Sequence, residues 1–509
     1  MGHNVMNIVN FVRGCDYRAD FDLLTPVARE IRINKQYGFK NTFLLQYDAM
    51  SREDMVELFQ REKDGNMELG VWFEMGRGLT EAVGIPWRGR EGYDWDWYVD
   101  PGFLQAYTNE QRIMLIDEVF RLFKEIFGYY PRVAGSWLLD AYSMAYMSDK
   151  YGMDAFCICR EQYAVDAYTL WGGYYSGGYY PSRNNMLCPS QREETKINTP
   201  VFRMLGIDPI YGYDEQKHVP RLKGCYTMEP VWPCGKDSSV MEWYFNEYYS
   251  YPSLAGSYAT TGQENSFGWK KIEDGYRLQS ELLARLEREG RVRIETLGES
   301  GSEFIRKHKR TPASVLVALN DWSGNGIQSV WYSCINWRAN LFLNGSRLIF
   351  RDINKFDDGY QERYLYKACR EKDAIYDNLP VVDNRICSSD DGECVWEFVD
   401  KAECIDELKE IGPNELEVRI KFVDGHHGNV TFGENTMRMC NCGKIRMSFG
   451  SSKTILGTLE NRFEFLHGDI RYSISFDSEL KVSGGEFEIE PIDGQLIVFI
   501  SEKILEEKL

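Results

Sequence analysis

Four carboxylates stand at the ends of strand-like segments. Glu74 closes ELGVWFEMG, Asp140 closes AGSWLLDAYS, Glu229 sits in YTMEPVW and Glu264 in ATTGQENSFGW. Two carboxyl groups converging on an acetal can hydrolyse it: one, protonated, assists the leaving oxygen, and the other, ionised, acts as nucleophile or base. Residues suited to a sugar lie nearby in sequence. Trp87, Arg90, Asp94, Trp95, Asp96 and Trp97 crowd the stretch WRGREGYDWDW, and Trp171 belongs to a second aromatic stretch, TLWGGYYSGGYY, whose glycines let the backbone bend. An indole offers a flat apolar face to the C–H side of a sugar ring, while Asp and Arg satisfy its hydroxyls. Each acid also has a structural reading, as helix cap or ion-pair partner, and aromatic runs also cover cores and partner interfaces.

Other chemistries find little support. The six histidines, His3, His218, His308, His426, His427 and His467, form no HxxH or HExxH pattern. Cys440 and Cys442 are spaced too tightly for a zinc loop, and no CxxC pair exists. Neither a GxSxG elbow nor a GxxxxGK[ST] phosphate loop is present. The reading therefore calls for no metal and no cofactor. A net charge of −19 argues against nucleic acid and anionic membranes, and favours a neutral substrate. No signal segment or apolar span of membrane length is apparent. The 13 cysteines, odd in number and scattered, read as mostly buried thiols of a cytoplasmic protein.

The elements that must position these residues alternate. Strand-like segments at Asn7–Val12, Thr42–Tyr47, Glu68–Glu74, Arg132–Leu139, Ala155–Cys159, Val201–Gly206, Gly224–Met228, Tyr258–Thr261 and Val292–Leu297 are interleaved with helical ones at Leu24–Tyr37, Arg52–Lys63, Asn109–Phe127, Ser143–Tyr151 and Trp269–Glu289. Repeated strand–helix–strand order predicts parallel pairing, and this many strands predicts a closed α/β barrel with its active face at the C-terminal strand ends. Beyond about Thr311 short alternating strands dominate: Ser314–Ala318, Leu341–Phe350, Val395–Val399, Glu415–Phe422, Arg462–His467, Ile470–Phe476 and Leu496–Ile500. The expected organisation is an N-terminal (β/α)7-8 barrel over residues 1–310 and a C-terminal β-sandwich over residues 311–509.

The segments NFVRGCDYR, TFLLQYDAM, WRGREGYDWDW, YTLWGGYYSGGYYPS and ETLGESG together resemble an uncharacterised bacterial family of the glycoside hydrolase/deacetylase barrel superfamily, which is similar to glycoside hydrolase families 38 and 57 and to polysaccharide deacetylases. The deacetylases in that superfamily hold a metal with a TFDD-type acid and an HxxxH pair. Here the corresponding stretches read Asn10-Phe11-Val12-Arg13 and Trp72-Phe73-Glu74-Met75-Gly76, without the histidines. The glycosidase branch is nearer. Trp137-Leu138-Leu139-Asp140 is similar to its nucleophile context, and Gly262-Gln263-Glu264-Asn265-Ser266-Phe267-Gly268-Trp269 is loosely similar to its acid segment.

The resemblance implies a retaining, metal-independent glycoside hydrolase acting on a small glycoside or oligosaccharide. Asp140 would be the nucleophile and Glu264 the acid, with Glu74 sharing the catalytic work. Trp87, Arg90, Asp94, Trp95, Asp96, Trp97, Trp171 and Glu229 would bind the sugar. Two alternatives remain at this stage: a metal-assisted carbohydrate deacetylase using Asp16, Asp48, Glu74 and Asp140, and a non-catalytic carbohydrate-binding protein. The expected partner is a carbohydrate, with neither nucleic acid nor membrane, and the surface permits a homo-oligomer.

Overall fold

The computed structural model describes residues 4–16, 22–165, 167–215, 227–388, 392–450, 454–459, 461–483 and 486–501. His3, His218 and most of the strand expected at Gly224–Met228 lie outside them.

Among the described residues eight strands build the N-terminal barrel: β1 (Val5–Val12), β2 (Asn41–Gln46), β3 (Met67–Trp72), β4 (Val133–Gly135), β5 (Ala155–Cys159), β6 (Val201–Met204), β7 (Tyr258–Thr261) and β8 (Arg293–Glu295). Seven run side by side and parallel in the order β7-β1-β2-β3-β4-β5-β6. β8 pairs only with the first residues of β1, Val5 to Asn7. Strands such as AFCIC are apolar along their whole length because helices cover one face and the barrel interior the other. Between β6 and β7 the barrel is bridged by a side chain: the Arg160 guanidinium donates to the Arg203 carbonyl on β6 and the Tyr258 carbonyl on β7, each at 3.3 Å.

The helices follow local signals. Asn109–Phe127 starts in a reciprocal capping box between Thr108 and Gln111 and stops at Gly128, whose φ of 83° is left-handed. Its apolar stripe of Leu115, Ile116, Val119, Phe120 and Phe123 is buried against the barrel. Gly70 and Gly135 line the narrow interior, where a Cβ on either would sit 2.5–2.6 Å from Val133 or Leu44 side-chain atoms.

From Ser314 onward two antiparallel sheets pack face to face. One carries strands from Ser314–Ala318 to Glu486–Ile489, the other strands from Ala402–Gly412 to Gln495–Phe499. Val330, Phe350, Trp396, Val418, Phe432 and Ile474 meet in their shared core. The expected strand Leu341–Phe350 is two strands, Trp337–Asn344 and Arg347–Lys355. The alternation of apolar residues runs on through the turn and concealed it. The signal was Asn344-Gly345, with Gly345 at φ 61° as a tight hairpin demands.

This half of the chain reaches back into the first. Phe356, Leu365, Cys369, Ala374 and Tyr376 pack into the barrel's core cluster. Strand Ala374–Tyr376 pairs in parallel with Tyr168–Leu170, the strand that leads into the aromatic stretch around Trp171. Eleven of the described cysteines are reduced thiols, whereas Cys234 is disulfide-bonded, a state that a strictly reducing compartment does not favour. Among the described residues no helix is long and apolar enough to cross a membrane.

Candidate active site

A cleft of about 340 Å³ opens at the C-terminal ends of the barrel strands. Six of the wall residues are there because a barrel strand ends just before them. Arg13 follows β1, Glu74 follows β3, Trp137 follows β4, Gln162 follows β5, Leu205 follows β6 and Glu264 follows β7. Glu229 comes from the loop between β6 and β7, and Trp95, Trp97 and Phe103 from the long connection after β3. Tyr168, Trp232 and Phe267 complete an aromatic lining.

Arg13 organises the acids. Its Nε and Nη2 each donate at 2.7 Å to one oxygen of Glu74, a bidentate pairing matched to the planar guanidinium. Its Nη1 lies 2.6 Å from Glu264 Oε2 and 2.8 Å from Ser266 Oγ, with Asp16 at 3.4 Å. The guanidinium stacks 4.4 Å from the centre of the Trp95 ring. Burial alone would lower the pKa of this arginine, which is 2% exposed; the charges of Glu264 and Glu74 reverse that and hold it well above its ordinary value. The Trp137 indole N–H donates to Glu74 Oε1 at 2.7 Å, so both Glu74 oxygens are engaged. Below them Phe11 stacks on Trp72 at 4.3 Å, and Trp137 packs edge-on to both.

Glu229 occupies another part of the cleft. Its Oε2 accepts from the Thr227 hydroxyl at 2.7 Å and the Trp232 indole N–H at 3.1 Å, and its Oε1 from the Gln263 amide at 3.3 Å. Glu264 is held by its neighbours in the chain. Gln263 N donates to Asn10 Oδ1 at 3.0 Å, and the Asn265 side chain exchanges two 2.9 Å hydrogen bonds with the Arg13 backbone.

Of the residues singled out in the sequence, Glu74, Glu229, Glu264, Trp95 and Trp97 face this cleft. Asp140 does not, and its expected place as a cleft nucleophile is corrected. β4 ends at Gly135, and Asp140 caps helix Ala141–Tyr151 by accepting from Ser143 N at 2.8 Å. Its carboxylate is fully buried and paired with the equally buried Arg112 at 2.9 Å. Trp171 is also displaced from the sugar-binding set: it is buried toward the sandwich, its indole N–H donating to Asp383 at 2.8 Å. Asp96 and Arg90 pair with each other at 2.8 Å, Arg90 lying over Trp97, so they brace the wall from behind. Asp94 is exposed and pairs with Arg77 at 2.8 Å, and Trp87 donates to the Tyr93 carbonyl within its own loop. Arg13, Trp137, Trp232, Phe267, Gln162 and Tyr168 were not singled out as site residues. Arg13 had a signal, since an arginine directly after an eight-residue apolar strand has to be paired if it is buried.

The carboxylates once considered for a cation do not converge. Asp16 lies beside Arg13. Asp48 is packed so closely on Gly76 that a Cβ there would stand 2.3 Å from its Oδ2, and burial pushes its carboxyl up to about 6. Glu74 is clamped by Arg13, and Asp140 is a cap. Among the described residues no three His, Cys, Asp or Glu side chains group as a metal ion requires. The cationic position between Glu74 and Glu264 belongs to the Arg13 guanidinium, so these residues do not fit the metal centre of the deacetylases.

No family model matches the chain, and no curated protein matches it in sequence. Among solved structures, a Parabacteroides distasonis protein named for the glycoside hydrolase/deacetylase class aligns over 74% of this chain and 91% of its own, with 12% identity and a TM-score of 0.52. A Mycobacterium smegmatis protein named for the polysaccharide deacetylases aligns over 61% and 93% at 11% identity and a TM-score of 0.38. A family 57 branching enzyme from Thermococcus kodakaraensis aligns over 60% and 71% at 11% identity and 0.31. The last two scores are too low to carry a structural argument. The first, with the strand order above, shows that this chain shares that protein's barrel fold.

Proposed function

We propose that the protein is a glycoside hydrolase in which Glu229 and Glu264 form the catalytic pair. The observation that carries this reading is the convergence of these two carboxylates, from separate segments at the active end of the barrel, in one cleft walled by tryptophans. Glu264, 2.6 Å from a guanidinium, is suited to act ionised as nucleophile or base. Glu229 then supplies the proton to the glycosidic oxygen as the C1–O bond breaks. Water closes the reaction, losing its proton to the carboxylate that serves as base and adding its oxygen at C1. Glu74, with both oxygens held by Arg13 and Trp137, keeps the guanidinium in place. Trp97 and Trp232 offer apolar faces to a sugar, and the chain's acidity favours a neutral glycoside.

The test is release of sugar from a panel of α- and β-aryl glycosides and short oligosaccharides, with and without chelator. Turnover insensitive to chelator, and reduced at least about 10³-fold in both Glu229→Gln and Glu264→Gln, is expected. Turnover that survives either substitution, or that disappears with chelator, overturns the assignment. Proton NMR of the first-formed anomer then separates a nucleophilic Glu264 (retention) from a basic one (inversion).

A further inference from the structure

The cleft carboxylates are linked by a residue that the reading above leaves without a role. Gln263 is fully buried and ties three parts of the barrel together. Its backbone N–H donates to Asn10 Oδ1 on β1 at 3.0 Å. Its side-chain oxygen accepts from Val231 N at 2.9 Å, and its side-chain nitrogen lies 3.3 Å from Glu229 Oε1. Its own C-terminal neighbour is Glu264. One residue therefore touches the Glu229 carboxylate with its side chain and fixes the backbone of Glu264 through its main chain.

The support behind it is equally specific. Asn10 Oδ1 also receives the Tyr276 hydroxyl at 3.4 Å, and that hydroxyl reaches Asn34 Oδ1 at 3.1 Å. All three residues are at most 3% exposed. On the N-terminal side Gly262 has φ 123°, and a Cβ there would stand 2.0 Å from the Val9 carbonyl oxygen, so the segment lies directly on β1. On the C-terminal side Asn265 is bonded to both backbone groups of Arg13. The run Gly262-Gln263-Glu264-Asn265 is thus fastened to β1 and to Arg13 just beyond it, on either side of the carboxylate, and Gln263 extends from it to Glu229.

We propose that Gln263 is a positioning residue that fixes Glu229 relative to Glu264, with Asn10 as its anchor. The inference rests on the Glu229–Glu264 reading. Reaction geometry of this kind tolerates little displacement, about 1 Å costing roughly 10²-fold in rate.

Gln263→Glu tests it with the Val231 contact kept, because a carboxylate still accepts that N–H. The variant replaces the amide facing Glu229 with a like charge, which raises the proton affinity of Glu229. The expected result is a pH–kcat profile whose Glu229 limb moves alkaline by about one pH unit, with KM within about threefold. Gln263→Met removes both side-chain bonds. Its crystal structure is expected to show the Glu229 carboxyl displaced by about 1 Å or more with the barrel strands in place, a readout that needs no substrate. A Gln263→Glu profile superimposable on that of the parent, or a Gln263→Met structure with Glu229 unmoved, overturns the inference. If instead Glu229→Gln or Glu264→Gln keeps its turnover, it is the catalytic reading that falls.

Discussion

Replacing Arg13 by methionine removes the charge on which the cleft is built while keeping a long apolar side chain. The arginine and Glu74 side chains are 3% and 0% exposed, and Glu264 is 5% exposed, so solvent cannot take over the neutralisation. Removing one partner of a buried ion pair costs about 3–5 kcal/mol, because the remaining charge stays desolvated. Here a single cation serves two carboxylates, so the upper part of that range applies without doubling. For a barrel of this size about 2 °C accompanies each kcal/mol, which puts the expected fall in the barrel's thermal midpoint at about 8–10 °C. Arg13→Met with Glu74→Gln should recover much of the loss, since the uncompensated charge leaves with its partner, and the two changes should be strongly non-additive. Differential scanning calorimetry of the parent, both single variants and the double variant measures this directly. A loss under about 2 °C in Arg13→Met, the behaviour of a solvated surface pair, would refute the claim that the guanidinium is the electrostatic centre of the cleft. So would strict additivity in the cycle.

Two further outcomes follow from buried groups outside the cleft. Asp140→Asn keeps a competent helix cap but leaves Arg112 without its counter-charge; it should lose about 3–5 kcal/mol in urea unfolding while, under the proposed function, the folded protein keeps kcat/KM within about threefold. A folded but inactive Asp140→Asn would return this residue to the catalytic set. Glu362 accepts from Ala141 N and Met186 N, and burial, reinforced by the nearby Asp140 charge, pushes its carboxyl up to about 8. Its folded-state pKa is raised above the unfolded one, so the folded protein holds an extra proton between about pH 4.5 and 8 and stability falls as pH rises through that window. Glu362→Gln should flatten this slope in urea melts taken across the window, and an unchanged slope would count against the raised value.

Much of the barrel was legible because its strands are short apolar runs separated by amphipathic helices. Leu24–Tyr37, Asn109–Phe127, Ala155–Cys159 and Tyr258–Thr261 appear with the expected bounds. Glu264 could be placed because Gly262 and Gln263 alone separate it from the last residue of β7. Asp140 was misplaced for a physical reason. Trp137-Leu138-Leu139 looks like the continuation of a strand, yet pairing stops at Gly135, and four intervening residues give the chain room to turn Asp140 away into a helix cap. Trp137, two residues past the strand end, takes the cleft position instead. Trp171 was misplaced because aromatic content does not reveal direction: on the strand Tyr168–Leu170, Tyr168 faces the cleft, while Trp171 just beyond it turns to the sandwich. That outcome depends on pairing with Ala374–Tyr376, some two hundred residues later, which no local pattern encodes.

Arg13 bears on the choice of chemistry as well as on stability. Carboxylates gathered at strand ends need a cation, and a barrel can obtain one from a divalent ion or from its own chain. A divalent ion brings exchangeable ligand positions and can acidify a bound water. A guanidinium brings a fixed single charge and directional N–H donors, with no position at which water is made more acidic. Arg13 spends those donors on Glu74, Glu264, Ser266 and Asp16. Between Glu74 and Glu264 the chain thus supplies orientation and charge balance, and the protons a hydrolysis requires must come from and return to carboxyl groups in the same cleft. That division of labour is why the pair Glu229 and Glu264, rather than any acid clamped by Arg13 on both oxygens, is the one expected to move them.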